Sequence, residues 1–323
     1  MSPIGTKNAG GKLIPYSKAA ETKQLDANTY SANLAASYQV GLVPNGGYVA
    51  SCLVRAASLH LGPKGQPHPL ASHFEFISRT EVGLAIIVVE VVKPGRALST
   101  VHVTLYQGSL LPSAPWFTPG KSRKQLTAYL TMSNLHLEKG LTLPTGFALH
   151  NPPPPKPDFT ALLQSNDAQW TKLKVRPPLN AIAALQNLQM FVPRSPTTEK
   201  SQVDFWTRFT SGEKFTNDSL AFILDSLPYT IEAYRPLTGD EPNAAFPIDT
   251  MMWYPTVVMN MDLKQALPDD GVDWLRLRIQ TKLIRNGRLD LEVLVYNEQE
   301  ELIALGHHVN LIVSAERNSA GRL

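Results

Sequence analysis

The sequence predicts an α+β fold made twice over: two tandem units, each a central helix wrapped by an antiparallel sheet. Three observations predict it. The turn Gly41-Leu42-Val43-Pro44-Asn45-Gly46-Gly47-Tyr48 runs into an apolar helix that ends at Leu61. Strand after strand follows, with no second helix of comparable quality for a long way. The last third of the chain then repeats that order, an apolar helix followed by a run of strands, as an internal duplication would.

Taken in order, the residues up to about Thr22 are rich in Gly, Lys and Ser and read as a loose leading arm. Asn45 is suited to cap the helix that follows it. Over Tyr48–Leu61 only Ser51, Arg55, Ser58 and His60 interrupt the apolar surface, so the helix is expected to be largely buried, with Cys52 as a packing residue. Leu70–Arg79 alternates Phe74 and Phe76 with polar neighbours. Leu84–Val92 is β-branched and almost continuously apolar, as a central strand should be. The turn Pro94-Gly95-Arg96 leads into Leu98–Gln107, and Gln125–Asn134 follows a Pro-rich loop containing Trp116.

These elements make an N-terminal unit of residues 1–140. Residues 141–200 read as a Pro-rich connector, because Asn151-Pro152-Pro153-Pro154-Pro155-Lys156-Pro157 must be extended; a rigid strap is expected there. The C-terminal unit, 201–323, opens with a short strand at Phe205–Phe209 and a turn at Ser211-Gly212-Glu213. A helix begins at Asn217 or Asp218 and runs to Leu227. Strands are expected at Met252–Leu263, Trp274–Ile284, Arg288–Tyr296 and Leu302–Val313. The turn Asn286-Gly287-Arg288 leads into Leu289, Leu291, Val293 and Val295 much as Pro94-Gly95-Arg96 leads into Leu98, Val101, Val103 and Leu105. A helix swallowed by an antiparallel sheet is the hotdog arrangement, so the prediction is two tandem hotdog units.

Composition removes several function classes. The chain has 323 residues, is 43% hydrophobic and carries a net charge of only +3, which points neither to nucleic acid nor to an anionic membrane surface. Its mean hydropathy of -0.13 suits a soluble protein. A single cysteine excludes a disulfide framework. No apolar run approaches a membrane span and the start lacks a signal-like apolar stretch, so a cytoplasmic protein is expected. The C-terminal Gly321-Arg322-Leu323 echoes the peroxisomal Ser-Lys-Leu address, the alternative compartment. There is no Gly-x-Ser-x-Gly elbow, no phosphate-cradling Gly-x-x-x-x-Gly-Lys and no dinucleotide fingerprint. His60, His68 and His73 lack metal-ligand spacing, and the neighbours His307 and His308 face opposite ways on a strand, so neither a metal nor a cofactor is expected.

Val43-Pro44-Asn45-Gly46-Gly47-Tyr48-Val49, the Pro94-Gly95-Arg96-x-Leu98-Ser99 turn and Trp253-Tyr254-Pro255-Thr256 together resemble the acyl-CoA thioesterase II family, the double-hotdog members of the thioesterase-like superfamily. The resemblance spans about Thr29–Leu135 and Phe205–Val313. It implies a site in the second unit made of an Asp from the helix, a Thr from the following strand and a Gln from the last strand, which together hold and activate a water. Asp225 and Thr256 match the first two; the Gln position falls on His308, a departure from the family pattern. The implied partner is an acyl-CoA or acyl-carrier-protein thioester, and a homo-oligomer is left open. Asn45, Gly46, Gly47 and Tyr48 are the candidate substrate-binding residues.

The residues support this trio independently. A carboxylate among Leu220, Phe222, Ile223, Leu224 and Leu227 is costly unless hydrogen-bonded or functional. Burial would raise its pKa, and such a group can take a proton from a water that attacks a carbonyl. A participating histidine would add an ionisation near its ordinary value of about 6.5. The competing expectation is a dehydratase or cyclase of fatty-acid or polyketide metabolism using a His308–Asp225 pair, although a His-x-x-x-Gly-x-x-x-x-Pro motif is absent. A third is an acyl-binding protein without catalysis.

Overall fold

The computed structural model describes residues 13–175, 182–195, 199–226, 230–235 and 252–314. The first unit opens with a one-turn helix α1 (Tyr16–Ala19) and strands β1 (Thr22–Gln24) and β2 (Thr29–Leu34). A small ribbon, β3 (Gln39–Val40) and β4 (Val43–Pro44), then turns the chain into the 16-residue helix α2 (Gly46–Leu61). Asn45 caps it as expected, its side chain accepting from the Tyr48 N–H at 2.8 Å. Four long strands complete the unit: β5 (His68–Phe76), β6 (Gly83–Lys93), β7 (Ser99–Gln107) and β8 (Arg123–Ser133).

The region read as a connector carries no helix or strand until α3 (Phe159–Leu163), and then supplies β9 (Trp170–Lys172), α4 (Ala183–Gln186) and β10 (Leu188–Pro193). β9 and β10 extend the main sheet rather than merely linking two bodies. The extended stretch around the prolines is held on the second unit by side-chain hydrogen bonds. Arg278 donates to the carbonyls of His150 (2.7 Å) and Asn151 (2.6 Å), and forks onto the buried Asp204 with two bonds of 2.9 Å. Trp170 Nε1 reaches the Pro155 carbonyl at 2.8 Å.

The second unit contains β11 (Gln202–Phe209), α5 (Leu220–Leu224), β12 (Met252–Trp253), β13 (Thr256–Leu263), β14 (Leu275–Gln280), β15 (Ile284–Arg285), β16 (Arg288–Tyr296), β17 (Leu302–Leu311) and β18 (Val313–Ser314). Two sequence expectations are corrected here. The strand expected over Met252–Leu263 is broken in two at Pro255, which has no N–H for a ladder, and an irregularity between Thr256 and Val258 follows at once. The helix expected from Asn217 to Leu227 is a 3₁₀ turn (Asn217–Ser219) followed by five α-helical residues; Asp225 is its C-cap, and Leu227 lies outside the described residues. The carboxylate of Asp225 is captured by the first turn of α2, which competes with continuing the helix.

The main sheet is continuous and antiparallel, in the order β1-β2-β6-β7-β8-β5-β13-β17-β16-β14-β11-β10-β9, with β15 paired to β16. The order is a mirror: β2, β6, β7, β8 and β5 of the first unit answer β11, β14, β16, β17 and β13 of the second. β5 and β13 join the units edge to edge, Phe74 opposite Met259 and His73 opposite Asn260, so neither strand is left with a bare edge. One hydrophobic core runs through both units. It includes Leu53, Val54 and Leu61 of α2 and Leu220, Phe222 and Leu224 of α5, all at most 1% exposed. The two helices pack on each other at Gly47, where an added Cβ would stand 2.3 Å from the Ala221 carbonyl oxygen. Just beyond it, the Phe222 N–H donates to Ser51 Oγ at 3.1 Å. Ser51 is thus one of the polar breaks in α2 because it meets the partner helix, not because it faces water.

Candidate functional site

Four elements converge on one carboxylate. α5 ends at Asp225, the N-terminus of α2 meets it from the other unit, and β13 and β17 pass beneath. Oδ2 accepts from the Gly47 N–H at 2.7 Å and from Asn45 Nδ2 at 3.1 Å, while Oδ1 accepts from Thr256 Oγ1 at 3.0 Å. Asn45 Nδ2 also donates to the Asp225 carbonyl at 3.1 Å. An N-terminal helix turn is suited to such a partner, because its first N–H groups have no helical acceptor and lie at the positive end of the dipole. Asp225 is only 8% exposed, and burial raises its pKa from 3.8 to about 6 against the opposing pull of Gly47, Thr256 and Asn45.

His308 lies under this carboxylate, with Nδ1 3.7 Å from Asp225 Oδ1. It is fully buried, and neither ring nitrogen has a hydrogen-bond partner among the described residues. Burial, with His307 beside it, pushes its pKa down to about 3, so the ring is neutral and the contact is not an ion pair. The direction is opposite to an ionisation near the ordinary value of about 6.5. A separation of 3.7 Å is too long for a direct bond. His307 faces the other way and is exposed, pairing across the sheet with Asn260 and Glu292.

Of the residues read as substrate-binding, Asn45, Gly47 and Tyr48 are buried and Gly46 is half-buried. Asn45 and Gly47 hold Asp225. An added Cβ on Gly46 would come within 2.9 Å of Phe76 Cε1 and 3.1 Å of Asp225 Oδ2. Tyr48 is fully buried; its hydroxyl bonds the Ala19 carbonyl and accepts from the Ala35 N–H at 3.0 Å, so its side chain belongs to the core. A small cleft does reach Asp225, lined by Val40, Asn45, Ile182, Ala184, Leu185 and Ser226. Its wall therefore includes α4 and its flank, inside the region read as a connector.

One residue was missed. Asn310 is 1% exposed, lies directly opposite Thr256 in the β13–β17 ladder, and donates from Nδ2 to Thr256 Oγ1 at 2.9 Å. The signal was present: on a strand, Gly306, His308 and Asn310 share a face, and an amide in an otherwise apolar strand end calls for a partner. No cluster of three or more His, Cys, Asp or Glu side chains placed to hold a metal occurs among the described residues. No described helix is long and apolar enough to cross a membrane.

Comparison with known proteins identifies the family and the fold. Residues 34–131 match the acyl-CoA thioesterase N-terminal domain, and residues 153–312 match the acyl-CoA thioesterase C-terminal domain. The thioesterase-like protein TwmA of Talaromyces wortmannii is 40% identical, over 98% of this chain and 97% of its own. Among solved structures, a hot dog fold protein of unknown function from Alicyclobacillus acidocaldarius superposes with a TM-score of 0.69 at 15% identity, covering 93% of this chain and 98% of that one. The acyl-CoA thioesterase II TesB2 of Mycobacterium marinum gives a TM-score of 0.59 at 15% identity, with 93% and 98% covered. Two family models in tandem, a relative matched end to end and two mirrored hotdog units say the same thing: the chain belongs to the acyl-CoA thioesterase family of double-hotdog proteins.

Proposed function

We propose that this protein hydrolyses an acyl thioester, carried on coenzyme A or on a carrier protein in fatty-acid or polyketide metabolism, in the cytoplasm. The observation that carries the reading is the Asp225 carboxylate, buried at the junction of both units and facing Thr256 and an unpartnered His308. In the step proposed, Asp225 takes a proton from water as the water oxygen bonds to the thioester carbonyl carbon, and the carbonyl electron pair moves onto oxygen. The intermediate then collapses, the carbon–sulfur bond breaks, and the thiolate leaves with the proton returned by Asp225. The products are a free acid and a thiol. A base with a pKa of about 6 is ionised at neutral pH yet basic enough to help, which is the range such catalysis favours.

Thr256 keeps one carboxylate oxygen oriented, and His308 offers a neutral nitrogen to the same water. Dehydration would need the histidine to lead as the base. A ring that burial holds at about 3 is a poor base for an α-proton, which favours hydrolysis. The test is turnover against a panel of acyl-CoAs followed by mass spectrometry. Free acid and free thiol support the proposal; loss of water from an intact thioester transfers the site to a dehydratase; an unchanged thioester that co-purifies makes it a binding protein.

A further inference from the structure

The hydroxyl of Thr256 has one proton to give and two partners within hydrogen-bond distance, Asp225 Oδ1 at 3.0 Å and Asn310 Nδ2 at 2.9 Å. An amide nitrogen can only donate. By occupying a lone pair of Oγ1 it leaves the Thr256 proton free for the carboxylate. Asn310 has no other side-chain hydrogen bond among the described residues, and its Oδ1 is buried without a partner there. Its cross-strand register with Thr256, next to the irregularity at Thr256/Val258, aims the two side chains at each other.

We propose that Asn310 is a positioning residue that acts through Thr256, fixing the hydroxyl rotor so that its proton is committed to Asp225. As a positioning role for hydrolysis this rests on the function proposed above, but the orientation itself can be read without turnover. A side chain that only filled space would lower stability and leave the titration of Asp225 where it was. A side chain that sets the proton's direction must move that titration when it is changed.

The experiment measures the Asp225 carboxyl by carbon NMR in the full chain, identified by difference from Asp225→Asn, alongside kcat and KM. Asn310→Ala frees the rotor, so the Asp225 midpoint should rise. Asn310→Asp adds a rival acceptor and a like charge, so the midpoint should rise further. Both should lower kcat by on the order of tenfold to a hundredfold, the scale of one hydrogen bond to a charged group, with KM changed by less than about threefold. In a Thr256→Val background Asn310→Ala should add little further loss, since its route is gone. An Asp225 midpoint unchanged in both variants, or fully additive losses in the double variant, would overturn the proposal. A wild type without any thioester turnover sinks the hydrolase reading, and the NMR arm still decides the role of Asn310.

Discussion

Replacing Asp225 by Asn should remove activity and, at neutral pH, remove a cost to the fold. The folded-state pKa of about 6 lies above the ordinary 3.8, so the folded chain holds this proton more tightly than the unfolded one. As pH rises through 3.8 the unfolded chain ionises first and stability falls; the loss levels off above 6. The full penalty is ~3 kcal/mol, of which about 2 kcal/mol falls between about pH 4.5 and about pH 7.5. Asp225→Asn cannot ionise and keeps an oxygen for Gly47 and Asn45. Its stability relative to wild type should therefore improve by about 2 kcal/mol over that interval, read from urea melts at several pH values. Taking the difference between the two proteins cancels every other titrating group. Turnover, followed by release of free thiol, should drop roughly 10²–10⁴-fold. Parallel stability curves, or a variant that keeps wild-type turnover, would refute the reasoning that makes Asp225 a strained base.

His308→Gln introduces the glutamine that the family resemblance implies and should retain hydrolysis. The acid limb of the wild-type profile belongs to Asp225 and should stay near pH 6 in this variant, because His308 is already neutral; a limb that vanishes would return the titration to the histidine. Gly47→Ala forces a Cβ to within 2.3 Å of the Ala221 carbonyl oxygen and 2.5 Å of Asp225 Cβ. It should destabilise the fold by ~1–3 kcal/mol or more and lower the melting temperature; an unchanged melt would mean that α2 and α5 do not meet as described. The Cys52 thiol, fully buried and pushed up to about 12 by that burial, should label with a thiol reagent only after denaturation, and rapid labelling of the native protein would reverse this.

By itself the sequence determined the local and repeating features. The apolar helix after Asn45-Gly46-Gly47, the alternating strands, the second helix-then-strands run and the isolated acid of Leu220–Leu227 are all written in short-range patterns. Periodicity and capping chemistry set such patterns within a few residues. The short strands β1, β9 and β10 were not legible. The three residues of β1 and of β9 at the sheet edges, and the six of β10 between β9 and β11, owe their conformation to the neighbouring strands rather than to their own preference. The shortness of α5 was hidden for a related reason: its end depends on what captures Asp225.

Only the tertiary structure decided what surrounds that carboxylate. The Gly47 N–H is 178 residues away in sequence, and it belongs to the other unit. The turn read as a substrate loop also supplies the acid's cradle. Register, which no local pattern specifies across two strands, put His308 rather than His307 beneath Asp225 and set Asn310 against Thr256. The same burial that made Asp225 conspicuous in the sequence raised its pKa and silenced the histidine. That balance of desolvation against donors exists only once both units are packed, because each supplies hydrogen bonds that the other lacks.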